Sequence, residues 1–185
     1  MRRVGIMIGS DSDLKQCLPG FKYLGGVVKE GKAEVVDVIT NSIHRNTEDT
    51  LKNICDCTVV QSLNVYNSGL DVLIVGAGMA NHLTGTTDAY LRYGLKNSKV
   101  IVIGVAFEGK TEEDTQAAIL SIKKVPGTQV VFNDAFVGEN GFLSACRKAV
   151  EDELPSIKLS DPKPVVHRSL DEAIIAAEAM VKEVK

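Results

Sequence analysis

Apolar residues along this chain gather into short runs with long amphipathic stretches between them. The runs cover residues 4–8, 35–39, 72–75, 100–103 and 130–132. Valine and isoleucine dominate them, and most show little alternation with polar residues. Strands buried on both faces have that pattern, and parallel sheets supply such strands. The stretches between carry helix signals instead. Asn46-Thr47-Glu48-Asp49 pairs capping residues with early acids, and Leu51 and Ile54 follow at helical spacing. Thr111-Glu112-Glu113-Asp114 repeats the signal ahead of Ala117, Ala118, Leu120 and Ile122. Residues 85–93 and 138–154 give two more candidates, the second with Cys146, Ala149, Val150 and Leu154 at helical spacing. Ser169 caps an Ala-rich amphipathic helix over residues 170–184.

Strands and helices in alternation predict an α/β chain. The expected architecture is a three-layer αβα sandwich on a five-stranded parallel sheet, in the flavodoxin-like strand order, with an added C-terminal helix. Residues 19–31 break the regularity. Pro19 and the Gly25-Gly26 pair predict a short helix beginning near Leu18 or Pro19, then an irregular connection. Pro155, Pro162 and Pro164 mark a linker. The expected organisation is a single domain over residues 1–185, with a core at 1–154, a linker at 155–168 and a terminal helix at 169–185.

Composition removes several function classes. The 185 residues are 44% apolar and 24% charged, enough to bury a core without disulfide or metal staples. The net charge is −3 and no basic block stands out, which argues against nucleic acid as a partner. The chain has no tryptophan and few other aromatics for stacking single strands. No apolar run approaches the roughly 20 residues of a membrane span, so no membrane partner is expected. Arg2 and Arg3 before an apolar stretch mimic a secretory signal, but that stretch soon meets Ser10-Asp11-Ser12-Asp13, and a first buried strand explains it better. The expected location is cytoplasmic. Cys17, Cys55, Cys57 and Cys146 fit no zinc spacing and read as small, partly buried thiols.

Ligands of open α/β sheets bind beyond the carboxyl ends of the strands. After the first run comes Gly9-Ser10-Asp11-Ser12-Asp13, after the second Asn41-Ser42-Ile43-His44-Arg45-Asn46, and after the third a stretch from Gly76 to Gly85 that contains His82. Loops one and two are expected as neighbours, with loop three on the other side of loop one. Hydroxyls and free backbone N–H groups at a helix start, joined by Arg45, suit a phosphate. Asp11 and Asp13 would repel that phosphate, but carboxylates pair naturally with ribose hydroxyls. Gly76, Gly78 and Gly85 let backbone approach a flat ring. His44 and His82 are able to move protons near neutral pH. Each element taken singly has a plainer reading: Ser-Asp-Ser-Asp is often only a helix cap, and a histidine after a strand is more often a hydrogen-bonded loop residue. Neither the dinucleotide fingerprint nor a P-loop occurs, and His167 reads as surface. The convergence of the three loops is what points to a small phosphorylated ligand.

These loops resemble a known family, the phosphoribosylaminoimidazole carboxylase catalytic subunit, also called 5-(carboxyamino)imidazole ribonucleotide mutase. Gly9 to Asp13 match the family's Gly-Ser-Asp-Ser-Asp in full, and Ser42-Ile43-His44-Arg45 differs from its Ser-Ala-His-Arg only at Ile43. Of the family's Ala-Gly-Gly-Ala-Ala-His-Leu-Pro-Gly the chain keeps Ala77, Gly78, Ala80, His82, Leu83 and Gly85, while Met79, Asn81 and Thr84 depart. Leu120-Ser121-Ile122 to Pro126 resembles a further family segment, whereas the acidic stretch from Glu108 to Asp114 is unlike its more apolar counterpart.

The resemblance implies a cofactor-free, metal-free enzyme of de novo purine biosynthesis. It would convert 5-(carboxyamino)imidazole ribonucleotide to 4-carboxy-5-aminoimidazole ribonucleotide by decarboxylation and recarboxylation, with CO2 as the trapped intermediate. His44 would be the acid/base. Ser10, Ser42 and Arg45 would hold the phosphate and Asp13 the ribose. Asp11 and Ser12 would lie in the same loop, and Gly78, Ala80, His82 and Leu83 would cover the base. Arg45 and His82 fit the mutase class rather than the class that uses free CO2. The family also implies a homo-octamer with sites between subunits. Two readings stand beside this one: a CO2-dependent carboxylase of aminoimidazole ribonucleotide or a related nucleotide, and a non-catalytic flavin- or nucleotide-binding module.

Overall fold

The computed structural model describes residues 1–58 and 69–183. Its strands are β1 (Arg2–Ile8), β2 (Ala33–Thr40), β3 (Val72–Ala77) and β4 (Ile101–Ala106). Its helices are α1 (Leu14–Lys29), α2 (Thr47–Thr58), α3 (His82–Ala89), α4 (Glu112–Lys123), α5 (Gly138–Glu151) and α6 (Leu170–Glu183). All strand pairs are parallel, in the order β2-β1-β3-β4.

Successive residues of a strand point to opposite faces, and the core divides accordingly. Val4, Ile6, Ile8, Val72, Ile74, Ile101 and Ile103 join one cluster with Leu24 of α1 and with Phe142 and Cys146 of α5. Met7, Leu73, Val75 and Val102 join the other with Ile54 of α2 and Leu83 of α3. Two apolar layers on one sheet are the αβα sandwich that the alternation of runs predicts. The second run departs from expectation. Val36, Asp37 and Val38 are exposed, because β2 is an edge strand and only part of it is covered.

The sheet has four strands, not the expected five. The fifth run lies beside β4 without forming a ladder. Val131 donates its N–H to Val102 and accepts one from Gly104, at 2.8 and 3.0 Å. The next contact, Ala106 N–H to Phe136 O, comes five residues later. Between them Asn133 closes a turn: its backbone oxygen accepts from Phe136 and its side chain from Ala135. A turn-former directly after the run leaves two isolated bridges in place of a strand.

Residues 19–29 also correct the expectation, since α1 is continuous and contains Pro19. Pro19 removes a donor, and Gly25 and Gly26 weaken the helix, at about 3 and 1 kcal/mol per residue in an exposed helix. Burial supplies the compensation. Cys17, Gly20, Leu24 and Val27 form one buried face, and a side chain at Gly20 would collide with Phe142. Helices in proteins owe more to such a face than to propensity. Other helix starts follow the sequence signals. Thr111 and Asp114 form a reciprocal capping box, and Ser169 and Glu172 bond in the same pattern. α3 begins three residues before the expected 85, with Asn81 as its cap. Burial pushes the Cys17 thiol up to about 12 and the Cys146 thiol upward as well, so both remain protonated core groups.

Candidate active site

The carboxyl ends of the strands surround a cavity of about 670 Å³. A cleft of that size holds a nucleotide-sized ligand. Its wall takes residues from loops one, two and three, as the strand order β2-β1-β3 requires, and also from the connection after β4.

Loop one leaves β1 through Gly9 and closes a single 3-10 turn over Asp11–Asp13. Ser10 caps that turn, its hydroxyl accepting the Ser12 N–H at 3.3 Å and lying 2.9 Å from the Ser12 hydroxyl. Ser10, Ser12 and Asp13 line the cavity; Asp11 is exposed and lies outside its wall. Burial raises the Asp13 carboxyl above its ordinary value, with the Gly78 backbone N–H, the Ser12 hydroxyl and Lys15 pulling the other way.

Loop two is a turn tied to α2. Ser42 O accepts N–H bonds from Arg45 and Asn46, and Thr47 Oγ1 donates to Ile43 O at 2.6 Å. Ile43 is buried beneath the turn with Met7 and Ile54, so this departure from the family motif serves the core as well as the cavity wall. Ser42, His44 and Arg45 line the cavity, with His44 and Arg45 exposed to it.

Loop three contains Gly78, Met79, Ala80, His82 and Leu83, all on the wall. Met79 adopts φ 51°, a left-handed conformation that a glycine would hold without strain. The two other departures compensate each other. Buried Asn81 accepts the Thr84 N–H at 3.1 Å, lies 2.9 Å from the Thr84 hydroxyl, and donates its Nδ2 to Val105 O at 3.0 Å. Its own N–H goes to Ser121 Oγ at 2.8 Å, which gives the Leu-Ser-Ile segment a role in supporting this loop. A proline at position 84 would have no N–H to offer that cap.

The anchored start of α3 brings His82 to His44. His82 Nδ1 and His44 Nε2 lie 2.9 Å apart, with ring centroids at 4.9 Å and planes at 60°. One ring donates and the other accepts, so the contact fixes the two tautomers relative to each other.

Sequence reasoning missed Lys15, Gln16 and the residues after β4: Glu108, Gly109, Lys110 and Asp114. The signal available for the last four was the charged stretch after the fourth run, which stands at a strand's carboxyl end like the other loops. Among the described residues no three His, Cys, Asp or Glu side chains cluster as a metal site would need. No helix of the described residues is long and apolar enough to cross a membrane.

A family model described as AIR carboxylase matches residues 3–149. The chain belongs to the AIR carboxylase family. The match takes in all three loops of the cavity and the connection after β4, and stops within α5. The N5-carboxyaminoimidazole ribonucleotide mutase of Pyrococcus abyssi (strain GE5 / Orsay) is 29% identical over 163 residues, covering 88% of this chain and 79% of the relative. The four-stranded core described above is thus the AIR carboxylase part of the chain, and α6 lies outside the matched residues.

Proposed function

We propose that this protein is a mutase of purine biosynthesis that converts 5-(carboxyamino)imidazole ribonucleotide to 4-carboxy-5-aminoimidazole ribonucleotide. The observation that carries the reading is the His44–His82 pair over a nucleotide-sized cavity, beside hydroxyls and the Arg45 guanidinium. The family and the similarity to a mutase support the same substrate.

In this reading Ser10, Ser12, Ser42 and Arg45 receive the phosphate, and Asp13 accepts hydrogen bonds from the ribose hydroxyls. Arg45 forms no ion pair among the described residues, which leaves its charge for the ligand. Gly78, Ala80 and Leu83 form an apolar wall against the imidazole. The N–CO2 bond breaks, CO2 stays in the cavity, and His44 delivers a proton to the exocyclic nitrogen. Carbon four then attacks CO2 and His44 takes the proton that carbon loses. With Nε2 engaged by His82, Nδ1 of His44 is the nitrogen left to exchange that proton, and His82 holds its tautomer. One group acts as acid and then as base, so the protein ends each turnover as it began.

The reading includes a cytoplasmic location and assembly with further copies of the chain, as the family resemblance implies. Exposed Leu170, Ile174, Ile175, Met180 and Val181 on α6 support assembly. The test of function is the absorbance change on mixing the protein with the carboxyamino ribonucleotide and, separately, with aminoimidazole ribonucleotide plus bicarbonate. Turnover of the first alone is expected. Turnover of the second alone makes the protein a carboxylase, and turnover of neither removes the reading.

A further inference from the structure

The connection after β4 carries features that the three loops do not explain. Gln16 is 8% exposed, and its side-chain amide pairs with both backbone polar groups of Glu108, ninety-two positions away. Its Nε2 donates to Glu108 O and its Oε1 accepts the Glu108 N–H, each at 3.0 Å. A two-bond clamp from the start of α1 thus fixes where this connection leaves the sheet. The Gly109 N–H donates to Thr115 Oγ1 at 3.0 Å, which ties the next residue to α4.

Lys110 follows on the cavity wall. The acids on either side of it also line the cavity, and each has a neighbour of its own. Asp114 accepts the Thr111 N–H in the capping box of α4. The Glu108 carboxyl lies against Gly138 at the start of α5, where the helix dipole favours an anion. Lys110 itself forms no hydrogen bond or ion pair among the described residues. A backbone held by a buried amide therefore presents one uncommitted cation to the cavity. It stands at the β4 side, whereas Arg45 stands at the β2 side, three strand spacings or about 14 Å across the sheet.

Of the three cations on the wall, Lys15 acts on the Asp13 carboxyl, while Arg45 and Lys110 stand at opposite sides of the sheet, a spacing that suits a ligand with anions at its two ends. We propose that Lys110 is a specificity-determining residue that binds the ring-borne carboxylate of the ligand while Arg45 holds the phosphate, and that Gln16 is the positioning residue that sets Lys110 there. The proposal rests on the ribonucleotide reading of the site and adds the group that distinguishes carboxylated from uncarboxylated forms.

The test is calorimetric titration of the full chain and its variants with 4-carboxy-5-aminoimidazole ribonucleotide and with aminoimidazole ribonucleotide, which differ by the carboxylate. Lys110→Ala is expected to weaken the carboxylated ligand roughly tenfold or more, the scale of a lost charge-assisted bond, and the other ligand less than about twofold. Lys110→Arg is expected to recover most of the loss. Gln16→Ala is expected to show a smaller loss of about threefold in the carboxylated ligand only, since a structural defect would weaken both. Equal losses for both ligands in Lys110→Ala, or no loss, overturn the carboxylate role. Equal losses in Gln16→Ala overturn the positioning role. A wild-type chain that binds neither ribonucleotide overturns the functional reading and this inference with it. A wild-type chain that binds both equally overturns this inference alone.

Discussion

The two ends of α3 carry similar polar chemistry put to opposite use. Beyond its C-terminal end, Arg92 is 1% exposed and spends every donor group inside the chain. Its guanidinium bonds Asp88 Oδ1 at 3.0 Å, Asn97 O at 2.7 Å and Val100 O at 2.8 Å. The other Asp88 oxygen accepts the Gln129 N–H at 2.8 Å. Burial pulls the guanidinium below its ordinary value, and the Asp88 carboxylate beside it acts in the opposite direction. At the N-terminal end His82 faces the cavity, and Arg45 and Lys110 on the same wall lack partners among the described residues. Both ends are polar, but only one is closed. Saturated polar groups hold a fold together; groups that a fold orients and then leaves open are where a ligand completes the set.

The largest effect expected at the open end is on turnover. Replacing His44 by Asn keeps the ring's approximate size and a polar group but removes the acid/base. Turnover should fall about 10²- to 10⁴-fold, with ligand affinity and melting temperature little changed. Retained turnover in steady-state assays refutes the proton role of His44.

At the closed end the expected loss is of stability. Arg92→Met leaves Asp88 buried without its counter-charge, and breaking such a pair costs about 3–5 kcal/mol. Urea unfolding measures this directly. Adding Asp88→Asn should return part of it, because the stranded charge is then gone. A loss below about 1 kcal/mol in the single variant would mean that water reaches this end too, and the contrast between the two ends would fail.

The same contrast governs what was legible in the sequence. Strand ends and capping residues are local signals, so Thr111, Ser169 and the gathering of three loops on one side of the sheet could be read in advance. Saturation is decided by partners far away in the chain. Nothing local to Gln16 announces its bonds to Glu108, and nothing local to Asn81 announces Ser121 and Val105. Pro19 and the fifth run, residues 130–132, misled in opposite directions for related reasons. The first is a helix breaker overruled by a buried face, and the second a group of strand-forming residues cut short by the turn at Asn133 that follows it. Asp11 could not be told from Asp13 by type, because the 3-10 turn places only one of them on the cavity wall.

Asp13 lies between the two cases and gives the finest test of the contrast. It is half-buried, takes a hydrogen bond from Gly78, and still carries a carboxyl raised by desolvation. A carboxyl whose folded value exceeds its unfolded value makes the ionised form costly to the fold. That cost is fully present above the folded value and vanishes once the pH drops below the unfolded value, about pH 4. Asp13→Asn keeps an oxygen to accept the Gly78 N–H and removes the charge. Its unfolding free energy should exceed that of the wild type at neutral pH, and the difference should shrink on acidification and disappear near pH 4. Ribonucleotide affinity should fall at the same time, because an amide accepts ribose hydroxyls less strongly than a carboxylate does. A variant less stable than wild type at neutral pH would mean that the fold needs the Asp13 charge, and that Asp13 belongs with Asp88 rather than with the open end.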